Sequence, residues 1–171
     1  MATPYKDMAA DVWSFLNSKS TYTALGLTEH KGYDGDLLAF DAIEGQFPDG
    51  ALPAIAADPS ESIETQGFGA TGAAGSIENG IEDRMTMELS VIYGTDGGNI
   101  SRDTLEATQT VITDLLMGAV AVRTRLGSSN IADYDVRSQG IQAIRDSGGG
   151  HPRYWVWNFD IELTGNRRFV N

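Results

Sequence analysis

Residues 154–165, YWVWNFDIELTG, constrain the fold more than any other stretch of this chain. Trp155, Trp157, Phe159, Ile161 and Leu163 alternate with Tyr154, Val156, Asn158, Asp160, Glu162 and Thr164. Successive side chains of a strand point to opposite faces, so the first set shares one face. Burying it contributes about 1.5–3 kcal/mol per large side chain, before the entropy of ordering is subtracted. The stretch is expected as a central core strand, with Trp155, Trp157, Phe159 and Ile161 as its candidate core residues.

The other elements follow from the same periodicities. In RMTMELSVIYG, Met85, Met87, Leu89, Val91 and Tyr93 alternate with Thr86, Glu88, Ser90 and Ile92, which marks a half-buried strand with one wet face. Residues 51–58, ALPAIAAD, read as a short strand, and Pro53 favours an edge or a strand start. Residues 131–138 and 140–144 are two weaker strand candidates. A helix is expected over residues 3–16, with Thr3 as N-cap, Pro4 at the first helical position and Asp7 in the first turn. Its stripe is Met8, Val12, Phe15 and Leu16. A second helix opens after Ser101, with Asp103 and Glu106 near its positive end and Leu105, Ile112, Leu115 and Leu116 facing the core. Gly118 ends it, or it runs on through AVAVRTRL, which also alternates like a strand. Residues 17–50 give a mixed signal that leaves helix and extended structure open.

Strands outnumber helices and follow one another through short breaks. The expected fold class is α+β: a mixed, mainly antiparallel sheet with two main helices packed on one face, plus a long Gly-rich loop. At 171 residues the chain is read as one domain. Its residues 1–50 form an N-terminal helix and variable region, and residues 66–80 a flexible loop.

Several kinds of chemistry are tested and set aside. The loop holds Gly67-Phe68-Gly69-Ala70-Thr71-Gly72, which spells G-x-G-x-x-G. A dinucleotide cradle needs a buried strand before it and a helix after it. Here the flanks are polar PSESIETQ and a segment running straight into a strand. No G-K-[ST] follows any glycine loop, and no G-x-S-x-G elbow occurs. His30 and His151 belong to no metal spacing and are read as surface histidines. The absence of cysteine removes disulfides, Cys-zinc sites and thiol catalysis. YDGDLLAFD and ADYD lack the order of a calcium loop. No catalytic, cofactor-binding or metal residue is nominated, no cofactor is expected, and the chain is not expected to be an enzyme.

Charge bears on partners. The net charge is −12; residues 1–83 carry 3 basic and 14 acidic side chains, and residues 84–171 carry 9 and 10. Such a chain repels phosphate at long range and is a poor candidate for duplex DNA binding through a basic footprint. No apolar run is long enough to span a membrane, and the start, MATPYKDMAADVW, has no signal-peptide pattern. A soluble protein without a membrane partner is expected.

The order LPAIAADPSESIE, a loop, DRMTMELSVIYG, SRDTLEATQTVITDLL and a closing YWVWNFDIELTG resembles the tail terminator (tail-completion, minor tail protein U-like) proteins of long-tailed bacteriophages. The resemblance covers residues 52–169 and lies in element order and patterning. It implies a structural virion protein, assembled in the host cytoplasm and placed at the head-proximal end of the tail. Such a protein is a homo-oligomer, a hexameric ring that caps the tail tube protein, ends its polymerisation and meets the head-proximal connector or neck protein. DNA only passes through the lumen. On this reading Gly67, Phe68, Gly69, Thr71, Gly72, Gly75 and Gly80 form the candidate assembly loop, mobile in the free protomer. The acidic first half is the candidate lumen-facing or solvent-facing surface. Two other readings stay open: another head–tail connector or neck protein, and a small acidic enzyme or ligand-binding domain without a recognisable motif.

Overall fold

The alternation at residues 154–165 becomes the spine of the molecule. The computed structural model describes residues 4–40, 46–48, 50–58, 63–71, 77–95, 102–121, 131–145 and 152–170. In chain order the elements are α1 (Pro4–Asn17), α2 (Ser20–Thr23), β1 (Thr28–His30), β2 (Ala54–Ala57), β3 (Ile63–Thr71), β4 (Ile77–Gly94), α3 (Arg102–Ala121), β5 (Asp133–Arg145) and β6 (Pro152–Val170). All six strands join one sheet of order β1-β2-β4-β6-β5, with β3 paired to β4 beside the β2 position. Only the β1–β2 pair is parallel; the other pairs are antiparallel. The α+β class expected from the sequence is the class observed.

β4 and β6 pair along almost their whole lengths, Glu78 opposite Val170 and Gly94 opposite Tyr154. Their odd-numbered residues share one face. Met87, Val91, Trp157, Phe159 and Ile161 there are fully buried. Trp155, expected among them, is half-buried and packs against the same cluster. Both long helices cover this face. α1 contributes Met8, Val12, Phe15 and Leu16 as its spacing requires, joined by Ala9 and Trp13. α3 contributes Leu105, Ile112 and Leu116. It runs past Gly118 to Ala121, so Gly118 does not end it; the rest of AVAVRTRL lies outside the described residues. Two internal hydrogen bonds tie α3 down: Tyr93 Oη to Thr108 Oγ1 at 2.8 Å, and Tyr134 Oη to the Leu116 carbonyl at 2.9 Å.

Two expectations are corrected. The weaker strand candidates at residues 131–138 and 140–144 are one strand, β5, with a register shift between Ser138 and Ile141. A bulge lets the strand stay paired while its alternation slips, and that slip looks in sequence like a break. The Gly-rich loop is, in its described part, a strand pair. Gly67, Phe68, Gly69 and Thr71 lie in β3 and Gly80 in β4, Gly67 opposite Ile81 and Phe68 opposite Gly80. Gly72 and Gly75 lie outside the described residues.

The second face of the sheet carries no helix among the described residues. At one end Leu38, Phe47 and Leu52 pack on Ile92, Tyr154 and Val156. Phe47 stands edge-on to Tyr154, ring centroids 5.0 Å apart, and meets Phe40 at 4.8 Å. The rest of this face is polar.

Candidate assembly surfaces

Three surfaces follow from this topology. The first is an arm. β5 begins opposite Thr164, whereas β6 continues to pair with β4 as far as Val170. β3 pairs with the same half of β4. Beyond Gly165 the sheet is therefore three strands wide, β3-β4-β6. At about 3.3 Å per residue the nine-residue β3 is about 30 Å long. Glu64, Thr65, Gln66 and Gly67 are all exposed, so neither face of β3 is covered there. Hydrogen bonding holds it instead, together with Thr65 Oγ1 donating to the buried Asp83 carboxylate at 2.8 Å. Gly67 has no left-handed backbone, and a Cβ built on it would meet nothing within 4 Å. Its neighbours within the chain do not require a glycine, although glycine weakens a strand.

The second surface is the polar face of the sheet. Register places Glu64, Glu82, Glu88, Asp160, Glu162, Asp133 and Asp135 on it, together with Arg84 and Arg137. Arg137 Nη1 lies 3.1 Å from Glu162 Oε1, and Arg84 Nε lies 2.6 Å from Glu82 Oε1. Glu88 stands directly opposite Asp160. On its other side Asp160 faces Arg137, and it accepts from Gln139 Nε2 at 3.3 Å. The third surface is the pair of sheet edges. β5 forms one. β1 and β3 form the other, stepped edge.

The nominated residues are thus divided. Trp155, Trp157, Phe159 and Ile161 meet in the core; Gly67, Phe68, Gly69, Thr71 and Gly80 share the arm. Phe68 and Thr71 lie in β3, whose antiparallel partner β4 follows it in the chain, so no helix follows the G-x-G-x-x-G run among the described residues. Of the histidines, His151 lies outside the described residues. His30 is half-buried on β1, its Nδ1 3.4 Å from Asp36 Oδ1, and is not the surface residue expected. No group of three or more His, Cys, Asp or Glu among the described residues could hold a metal ion. No helix there is long and apolar enough to cross a membrane.

Sequence reasoning missed one constellation. Glu29 of β1 accepts hydrogen bonds on Oε1 from Asn17 Nδ2, at the end of α1, and from Tyr22 Oη, in α2, both at 2.8 Å. Burial, with the adjoining carboxylate adding to it, pushes the Tyr22 phenol well above its ordinary pKa. These residues, with Thr23 and Leu27, line a cavity of about 290 Å³. Residues 17, 22 and 29 belong to no sequence motif; only the turn from α1 through α2 into β1 brings them together. Compared with models of known families and with curated proteins, the sequence matches none.

Proposed function

We propose that this chain is a virion assembly protein of the tail terminator kind. It forms a ring at the head-proximal end of a long-tailed phage's tail tube. There it ends tube polymerisation and meets the connector or neck protein, and DNA passes through the lumen without being held.

The observation that carries this reading is the one-sided sheet. Helices cover one face, no helix among the described residues covers the acidic one, and an arm and two unlike edges extend from the same sheet. A ring of identical subunits needs each protomer to offer two different surfaces, and opposite edges of one sheet are two such surfaces. An acidic face suits a lumen, because cationic contacts to phosphate would grip DNA through counterion release. The arm supplies hydrogen-bonding groups and close backbone approach at Gly67, which suit contact with a neighbouring subunit or the tube. None of these surfaces calls for catalysis or a cofactor.

The test is deletion of the gene followed by electron microscopy of lysates. Tails of uncontrolled length, or tails without heads, are the expected result, and normal infectious particles would sink the proposal. Gly67→Val sharpens it: the isolated chain should keep its stability while addition to tails is lost. An exposed β-branched residue at this position costs the strand nothing.

A further inference from the structure

We propose that the cavity between α1, α2 and β1 is a binding site for an alkylguanidinium group, namely an arginine side chain presented by another protein chain. Once the internal bonds are made, the side chains of the cavity keep only part of their hydrogen-bonding capacity. Both N–H groups of Asn17 Nδ2 are committed, one to the Trp13 carbonyl at 3.0 Å and one to Glu29 Oε1 at 2.8 Å. The Tyr22 hydroxyl donates to the same carboxylate oxygen. The Thr23 hydroxyl donates to the Ser20 carbonyl at 3.2 Å. Every side-chain donor lining the cavity is therefore spent within the chain.

Acceptors remain. Glu29 Oε2, Asn17 Oδ1 and Thr23 Oγ1 accept no hydrogen bond among the described residues, and each has lone pairs to offer. One of them carries negative charge, and that carboxylate is held in place by two donors on its other oxygen. A cavity whose uncommitted side-chain capacity is all acceptor, part of it anionic, suits a cation rich in donors better than an anion. The three acceptors come from three different elements around about 290 Å³. A compact ammonium gathers its three donors on one atom, whereas a guanidinium spreads five in a planar fork able to reach separated acceptors. Leu27 supplies an apolar wall for the methylene stem. The assignment stands on this geometry and does not depend on the ring reading.

The test titrates the full chain with butylguanidinium and follows the Asn17 side-chain amide by NMR. A saturable shift with Kd on the order of 1 mM is expected for so small a ligand. Butylurea, of similar shape but uncharged, should give none. Glu29→Gln should weaken binding at least about tenfold, the loss of one charge-assisted contact. Because that variant also touches the Tyr22 hydrogen bond, Thr23→Lys provides a second line. Position 23 is exposed, and an ammonium placed there should block the probe while the fold is kept. The absence of a localised shift overturns the proposal, as does butylurea binding equally or Glu29→Gln binding undiminished. Tighter binding of butylammonium overturns the choice of guanidinium. An arginine capped at both ends should bind at least as well as free arginine. A tenfold preference for free arginine would make the site one for a metabolite and overturn the side-chain source.

Discussion

Trp157→Ala is the perturbation that most directly tests how this protein is held together. The indole is fully buried at the centre of the face that both long helices cover. Removing a buried Trp costs about 3–5 kcal/mol, and the position within that range follows from its contacts. Its ring stacks on Phe159 with centroids 4.4 Å apart and planes 18° from parallel. Such a pair adds about 0.5–1.5 kcal/mol beyond burial. Its Nε1 donates to Ser138 Oγ at 3.1 Å, but Ser138 also receives Gln109 Nε2, so that hydroxyl is not orphaned. The loss should therefore fall in the upper part of the range, about 4–5 kcal/mol. For a chain of this size it lowers Tm by roughly 8–20 °C. Urea titration followed by circular dichroism, with Trp13 and Trp155 still reporting by fluorescence, measures it. Phe40→Ala is the matched control: that ring is 47% exposed, and its removal should cost no more than about 1 kcal/mol. If Trp157→Ala lies within about 1 kcal/mol of wild type, or equals Phe40→Ala, the packing argument for β6 fails.

Gly32→Ala should destabilise by about 1–3 kcal/mol, because φ there is +78° and a Cβ would stand 2.9 Å from the Ala57 carbonyl oxygen. Gly26→Ala, with φ +66° and open space around it, should cost less, and equal losses would discount the clash. Tyr93→Phe removes a buried donor. Thr108 commits its own hydrogen to the Thr104 carbonyl, so the Tyr93 hydroxyl donates to Thr108. A loss of about 1–2 kcal/mol by urea titration is expected, and no loss would refute the pairing. Burial pushes the Tyr134 phenol up to about 12, and Tyr22 moves the same way. The native chain then keeps protons that the unfolded chain loses from about pH 10. Stability from this source is complete below that pH and is lost as pH rises through 12. Urea midpoints should fall across this window and fall less in Tyr134→Phe; a flat profile would refute the assignment.

How much was legible in the sequence depends on what hydropathy periodicity reports, which is burial and not hydrogen bonding. Tyr154 to Leu163 and Met85 to Tyr93 have helices on one side and, away from the Ile92–Tyr154–Val156 end, a polar face on the other, so both strands alternate visibly. α1 and α3 show their stripes for the same reason. β3 pairs with β4 along its length, but Glu64, Thr65, Gln66 and Gly67 are exposed, so that stretch has no burial to encode. Its glycines then look like a loop. The break inferred near Gly140 has a similar origin: β5 keeps its partner across the bulge while its pattern changes phase. The Glu29 cavity was illegible for another reason. Its members lie in three different elements, so no single helix or strand period relates them, and they converge only because α1 stops at Asn17 and α2 turns the chain back. The surface with the least internal purpose, the exposed stretch of β3 with a glycine its contacts do not require, is therefore one that hydropathy could not recover. On the proposed assembly reading, this is where an outside partner would contribute most: a paired edge for β3. A Gly67 substitution that leaves the isolated chain unchanged and abolishes assembly would separate these two kinds of constraint.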